Sequence, residues 1–599
     1  MKNLSKITLI VLSLGIVSCS FLDKAPLDKV TPATYFNTAT DLQMFSNSFY
    51  NNLLDKSVYR PHNDLNTQKE LSAFLRGGTN RTVPASGGGW TWNDVRKMNT
   101  LLKYIDNCKD EKAVKEYTGV ARFFRAFFYF EKVKRFGDVP WIEKELGSAD
   151  EDLYYPRDSR SFIIRKMIED VDYAIENLPS NVSTYRVNKY SALALKAQFC
   201  LFEGTYIKYH GLTFPDDPDA LSSEDLLDLA AAAANEIIES HVYKLYTTNK
   251  PEQDYMMLFA QETANAGEYI LAIRYAQTPF IAHDANPYAL NASDARPGLT
   301  KKAMCMYLMK DGSRFTDKAG WKTMTYLDEV KDRDPRLGQT VRIPGYHRIG
   351  KDEILPTDFR VSSTGYSIVK WVSDPSLNGG QCDRAGNYSI VDLPVYRLGE
   401  VYLNYAEALA ELGKLTQADL DKSINVLRDR AGMPHLSMAD ANANPDWYLS
   451  SPEYGYTNVT GGNKGVILEI RRERAVEMAN EGSTGRINDL FRWKCGKCLE
   501  QELLGQYFPG PGEYDFTGNG KPDLCLYVGT KPSTTAGQIL EIGKDIILSE
   551  GEKGFVSPHS KEVRSFNEER DYLYPIPIND RSLNKNLKQN PGWDDGLGY

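Results

Sequence analysis

The sequence predicts an all-α-dominated fold of repeat-like helix pairs, with a large irregular part and few short strands, and three observations carry that prediction. Residues 119–140, GVARFFRAFFYFEKVKRFGDVP, place Val120, Phe123, Phe124, Phe127, Phe130 and Val133 at helical spacing. Residues 396–413 repeat the design with Leu398, Val401, Tyr402, Tyr405, Leu409 and Leu412, and a glycine turn leads to a second helix. Between residues 247 and 394 the periodicity breaks into Gly, Pro, Asp and aromatic residues.

The first element is a leader. Lys2 and Lys6 give a basic start, residues 7–17 an apolar run, and Ile16-Val17-Ser18-Cys19 the ending of a lipobox. A membrane span needs about 20 apolar residues and a signal peptide about 7 to 15, so residues 1–18 read as a signal peptide. Cleavage before Cys19 leaves an acylated cysteine that tethers a soluble body. Ser18 and Ile16 stand where other residues are commoner, and an ordinary secretory signal with an incidental cysteine is the alternative.

In the helix within 119–140, Lys132, Lys134 and Arg135 meet the negative helix end, Gly137 suits a left-handed cap, and Pro140 prevents continuation. Amphipathic runs follow at 161–177, 188–204 and 224–240, the last with an alanine block that permits close helix contact. After 396–413, a helix starts at Thr416, capped with Asp419, and ends at Gly432 before Pro434. Helix, glycine turn, helix is the grammar of a tetratricopeptide-like hairpin, which buries its faces only by stacking on neighbours. The irregular stretches, 247–394 and 496–567, are where binding groups tend to reside on a helical scaffold.

The formal charge of −9 becomes −11 once Lys2 and Lys6 leave with the leader, which disfavours nucleic acid as a partner. Aromatic residues make up 11% of the chain, so most are expected in the core and a few in a site. Seven cysteines remain after Cys19, too few and too scattered for a disulfide framework. Cys495 and Cys498 form a lone CxxC, read as a local disulfide or two packed thiols.

Five blocks occur in a familiar order: CSFLDKAPLDKVTPATYF (19–36), ARFFRAFFYFEKVKRFGDVP (121–140), YRLGEVYLNYAEALAELG (396–413), ILEIRRERAVEMANEGSTGRINDLFRW (467–493) and DYLYPIPINDRSLNKNLKQNPGW (571–593). Together they resemble the SusD/RagB family, surface nutrient-binding lipoproteins of Bacteroidetes outer membranes. The resemblance implies one domain over 19–599 with about four tetratricopeptide-like pairs: helices in 19–245, an irregular ligand-face insert at 246–393, further helices in 394–495 and a loop-rich 496–599. It also implies an oligosaccharide or polysaccharide ligand and a SusC-like TonB-dependent transporter over which the lipoprotein acts as a lid. The address implied is the outer face of the outer membrane, anchored in lipid through acylated Cys19. Within the blocks, Arg122, Arg125 and Asp138 read as scaffold that caps helices or forms pairs.

A sugar presents an apolar face and a rim of hydroxyls, so its receptor needs exposed aromatic planes beside carboxylate, amide or guanidinium groups. Residues 64–93 meet that demand, with Trp90 beside three glycines as the platform and Trp92 in the core. In the family this loop commonly contributes to the glycan site, which nominates Asp64, Arg76, Asn80 and Arg81. The middle insert offers Tyr288, Tyr307, Arg314, Phe315 and Trp321, with Trp321 the preferred ring.

A calcium-loop pattern runs through Asp515, Thr517, Asn519, Gly520, Lys521 and Asp523, with Leu526 where a bidentate Glu is normal. An ordinary Asn-Gly turn accounts for the same residues, and no other cofactor is expected. No HExxH or GxSxG is present, and the seven histidines form no catalytic constellation. The expectation is binding without catalysis. A surface polysaccharide hydrolase needs only two suitably placed carboxylates and is one alternative; a peptide-binding RagB-like receptor and a purely structural or adhesive surface protein are the others.

Overall fold

A computed structural model describes residues 34–599 apart from 54–57, 61, 181–182, 279–280, 293 and 483, so Cys19 and the leader lie outside the described residues. Helix accounts for 40% and strand for 9%, the strands being two to five residues long. Helices α1 (Ala39–Leu53) and α2 (Asn93–Tyr104) pack on α3 (Glu111–Phe136). Then α4 (Arg160–Asn177), α5 (Lys189–His210), α6 (Ser223–Glu239) and α7 (Leu398–Leu412) each pack on the helix before.

Their ends follow local chemistry. In α3 the Asp110 side chain accepts from Ala113 N–H at 3.1 Å, and Gly137, at φ +71°, returns its N–H to the Val133 carbonyl. Reciprocal capping boxes start α5 (Asn188 with Ser191) and α6 (Ser222 with Asp225). A third, Thr416 with Asp419, starts α8 (Gln417–Asp421), and α9 (Ile424–Arg430) follows. The single helix expected over 416–432 is thus two, because Ser423 has non-helical backbone angles and its hydroxyl bonds back to the Asp419 carbonyl.

Helix α7 is the shared wall of two hydrophobic cores. Leu398, Val401, Tyr405 and Ala408 face the core of α1 to α6. Leu403, Ala406 and Ala410 face the second core, built with α9, α10 (Lys464–Glu477), α11 (Gly485–Arg492) and the irregular segments. Strands β1 (Tyr269–Ile273) and β2 (Leu393–Arg397) pair antiparallel, Tyr269 opposite Arg397 and Ile273 opposite Leu393, and so close the base of the middle insert. In the C-terminal part a three-stranded sheet joins β3 (Gly512–Tyr514) antiparallel to β4 (Leu524–Tyr527), which runs parallel to β5 (Gln538–Glu541).

Buried charge holds the halves together. On α10, Arg471, Arg472, Glu473, Arg474 and Glu477 are all buried. Glu477 receives Arg397 at 2.9 Å, Arg336 at 3.2 Å and also Arg430, and these guanidiniums hold its carboxyl well below the usual range against the opposing effect of burial. Arg125 grips Asp170 at 2.6 and 2.7 Å, and Asp138 accepts from Arg160 N–H at 2.8 Å, which fits their scaffold reading. The seven described cysteines are free and buried, so Cys495 and Cys498 are packed thiols. No helix among the described residues is long and apolar enough to cross a membrane.

Candidate functional site

The glycine-rich loop before α2 ends against the C-terminal segment, and an open cavity of about 300 Å³ lies between them. Phe74, Asn80, Arg81, Pro84, Gly88, Arg135, Tyr574 and Trp593 form its walls. Backbone pairing zips the loop in place: Ile578 and Asn579 donate N–H to the carbonyls of Pro84 and Ala85 at 3.0 and 2.9 Å. From α3, Lys132 donates to the Gly89 carbonyl at 2.5 Å and Arg135 Nε to that of Gly88 at 2.7 Å.

Rings and guanidiniums alternate around this cleft. Phe74 and Tyr574 stack in parallel at 5.9 Å. Arg81 sits 4.9 Å from Phe74, 5.0 Å from Tyr574 and 5.3 Å from Trp593, while Arg135 lies 3.9 Å over Tyr574. Burial lowers the proton affinity of Arg81 and Arg135, though a guanidinium keeps its proton in a protein. Burial also raises the Tyr574 phenol, so it stays neutral. Phe74 and Arg135 cover Tyr574, and Arg81 and Arg570 lie over Trp593, so the cleft offers ring edges beside N–H donors to a sugar's C–H groups and oxygens.

Of the nominated residues, Asn80 and Arg81 reach this cleft, and the others do not. Trp90 is only 6% exposed, edge-on to Phe136 at 4.9 Å and to Trp92 at 5.2 Å, so its ring belongs to the first core and offers no free plane. Trp92 is partly buried against the same core. Asp64 is 2% exposed and engaged by Arg486 and Lys302. Arg76 pairs with Glu562 at 3.4 Å.

The middle insert corrects the expectation in the same way. Trp321 is 9% exposed and packs at 5.2 Å against Tyr448 in the second core, beside buried Phe315. Tyr288 is buried beneath the Arg60 guanidinium at 4.4 Å. Arg314 pairs with buried Asp446 at 3.3 Å. Tyr307 lines a half-enclosed cavity of about 160 Å³ whose walls include Arg397, Arg474, Asn480, Arg486 and Trp493. That cavity borders the buried ion network.

In the Asp515 loop the carboxylates are taken by backbone donors. Asp515 accepts from the N–H groups of Thr517 at 2.9 Å, Gly518 at 2.7 Å and Gly520 at 2.7 Å. Asp523 accepts from Phe516 at 2.8 Å and Thr517 at 3.1 Å, and Asn519 accepts from Lys521 N–H at 2.8 Å. No group of three or more His, Cys, Asp or Glu suited to a metal ion occurs among the described residues.

Sequence reasoning missed Phe74, Arg135, Tyr574 and Trp593. Arg135 and the last two lie in blocks that read as scaffold, and nothing local signals that Phe74 and Tyr574, 500 positions apart, share a wall. It also missed Trp447, a tryptophan 48% exposed whose indole N–H donates to Asp317 at 2.8 Å.

Comparison with known proteins places this geometry. Residues 267–593 match the model of the SusD family, and residues 21–201 match one described as starch-binding associating with outer membrane. SusD-like protein P38 of Formosa agariphila is 23% identical over 461 residues, covering 72% of this chain and 83% of that protein. SusD-like protein P2 of the same organism is 29% identical over 226 residues, 34% of this chain, and the match spans 44% of its own length. A solved SusD-like carbohydrate-binding protein of Bacteroides fragilis shares the fold at a TM-score of 0.67 and 22% identity, over 93% of this chain and all of that one. A second SusD-like structure from the same species gives 0.66 at 20% identity, over 95% of this chain and all of that one. With more than half of its length matched by the family's own model, this chain belongs to the SusD family.

Proposed function

We propose that the protein is a surface receptor that captures oligosaccharides and passes them to a SusC-like TonB-dependent transporter in the outer membrane, without cleaving them. The cleft carries this reading: three rings, an amide and two guanidiniums converge on an open cavity, in the loop where the family resemblance expects a glycan wall. The membership of the family and the carbohydrate-binding description of a solved relative support it. Modest affinity suits the role, since stacking and hydroxyl contacts leave much of each sugar solvated and a receptor that hands its ligand on must release it. Acylation of Cys19 would tether the body on the outer face.

The test is a glycan and peptide array probed with the mature protein. Saturable glycan binding with no new reducing ends is expected. New reducing ends would favour the hydrolase, and peptide capture alone the peptide receptor. In cells, Cys19→Ala should release the protein from the membrane and leave ligand binding intact.

A further inference from the structure

The cleft carries more positive charge than its own carboxylates balance. Arg81 lines it with a side chain 5% exposed, and its Nη2 is buried without a hydrogen-bond partner. Its ion-pair partner is Asp571, 3.1 Å from Nη1, and Asp571 is shared with Arg570 at 2.7 Å. Arg135 donates Nε to the Gly88 carbonyl and stacks on Tyr574, yet makes no ion pair among the described residues. The chain as a whole is acidic, at −9, so these two cations are not part of a general basic surface.

Arg135 is also held in place. Gly89, at φ +88°, runs over it so closely that a Cβ there would lie 2.8 Å from Arg135 Nε. Any other residue would push the loop off the guanidinium. The loop, the helix end and the C-terminal segment together bring two cations to the wall of one open space.

We propose that this cleft recognises an acidic sugar residue, whose carboxylate or sulfate-ester oxygens accept from Arg135 at the open cavity, with the buried Arg81 charge behind them. The proposal rests on the receptor reading above and narrows its ligand to anionic glycans. Arg135 is the specificity residue, since the second positive charge is unpaired. Asn80, exposed on the rim, is the position at which added negative charge would oppose such a ligand.

The experiment is calorimetric titration of the mature protein with two matched pairs: oligogalacturonate against its methyl-esterified form, and dextran sulfate against dextran. The first pair reports a carboxylate and the second a sulfate ester. At least one acidic member should bind about ten-fold tighter than its neutral partner. Arg135→Gln should abolish that preference, Arg135→Lys should keep most of it, and Asn80→Asp should weaken the acidic member more than its neutral partner, with circular dichroism checking that each variant is folded. Asn80 is exposed, so that variant remains informative if Arg135→Gln folds poorly. Equal affinity within both pairs, or a preference untouched by Arg135→Gln and Asn80→Asp, overturns the proposal. Binding to neutral array glycans with no affinity for either acidic polymer removes the acidic preference and leaves the receptor reading standing. No glycan binding of any kind removes both.

Discussion

Asp64 and Arg486 form a two-pronged ion pair, Nε at 2.9 Å from one carboxylate oxygen and Nη2 at 2.8 Å from the other, across 422 residues of sequence. Lys302 adds a third contact at 3.0 Å. The loop before α2, the middle insert and helix α11 therefore meet at one buried carboxylate, whose proton affinity Arg486 and Lys302 hold well below the usual range against burial. A residue nominated for ligand contact is thus a structural tie.

Asp64→Asn should destabilise the protein by about 3–5 kcal/mol, because it leaves two buried cations without their counter-charge. Urea denaturation reads this as a lower midpoint. Glycan affinity of the folded fraction should not change, and a loss of affinity at unchanged stability would return Asp64 to the binding site.

Trp90→Ala should cost about 3–5 kcal/mol, the penalty of truncating a large ring in a packed core. Trp321→Ala carries the same expectation. Scanning calorimetry measures both, and a variant with wild-type stability would mean that its ring is not held as the structure places it.

Glu477 gives stability a defined pH dependence. Its folded-state proton affinity is depressed, so its contribution is fully present above the ordinary Glu value of 4.5 and is lost as pH falls toward the lower folded value. Glu477→Gln should cost about 3–5 kcal/mol at neutral pH by unbalancing Arg336, Arg397 and Arg430. The gap between variant and wild type should narrow as pH falls below 4.5. A gap that stays constant under urea denaturation from about pH 7 to about pH 3 would contradict the ionic account.

Excess calcium should leave the melting temperature unchanged. Five backbone N–H bonds already converge on Asp515 and Asp523, and Leu526 stands where a bidentate Glu is normal. A rise of several degrees on adding calcium, reversed by chelator, would show a bound ion at this loop.

Much of the scaffold was legible because its signals are local. The helix start at Thr416 follows from a side chain that caps backbone three residues away, and the stop after Phe136 follows from Gly137. The break at Ser423 was not legible, since a serine at that position also fits a continuous helix on pattern alone. The candidate site was half legible: Asn80 and Arg81 stand out in a glycine-rich loop, but Tyr574 and Trp593 look like ordinary core residues until the C-terminal segment folds back on that loop.

By itself the sequence determined the helical elements, their caps and the ordered blocks that mark the family, because each depends on neighbours a few residues apart. Only the tertiary structure decided which rings line the open cleft and which cations stay unpaired. Trp90, beside three glycines, is buried, whereas Arg135, inside a core-like helix, faces an open cleft. Exposure and charge balance are sums over contacts from distant segments, and no local spacing encodes that sum.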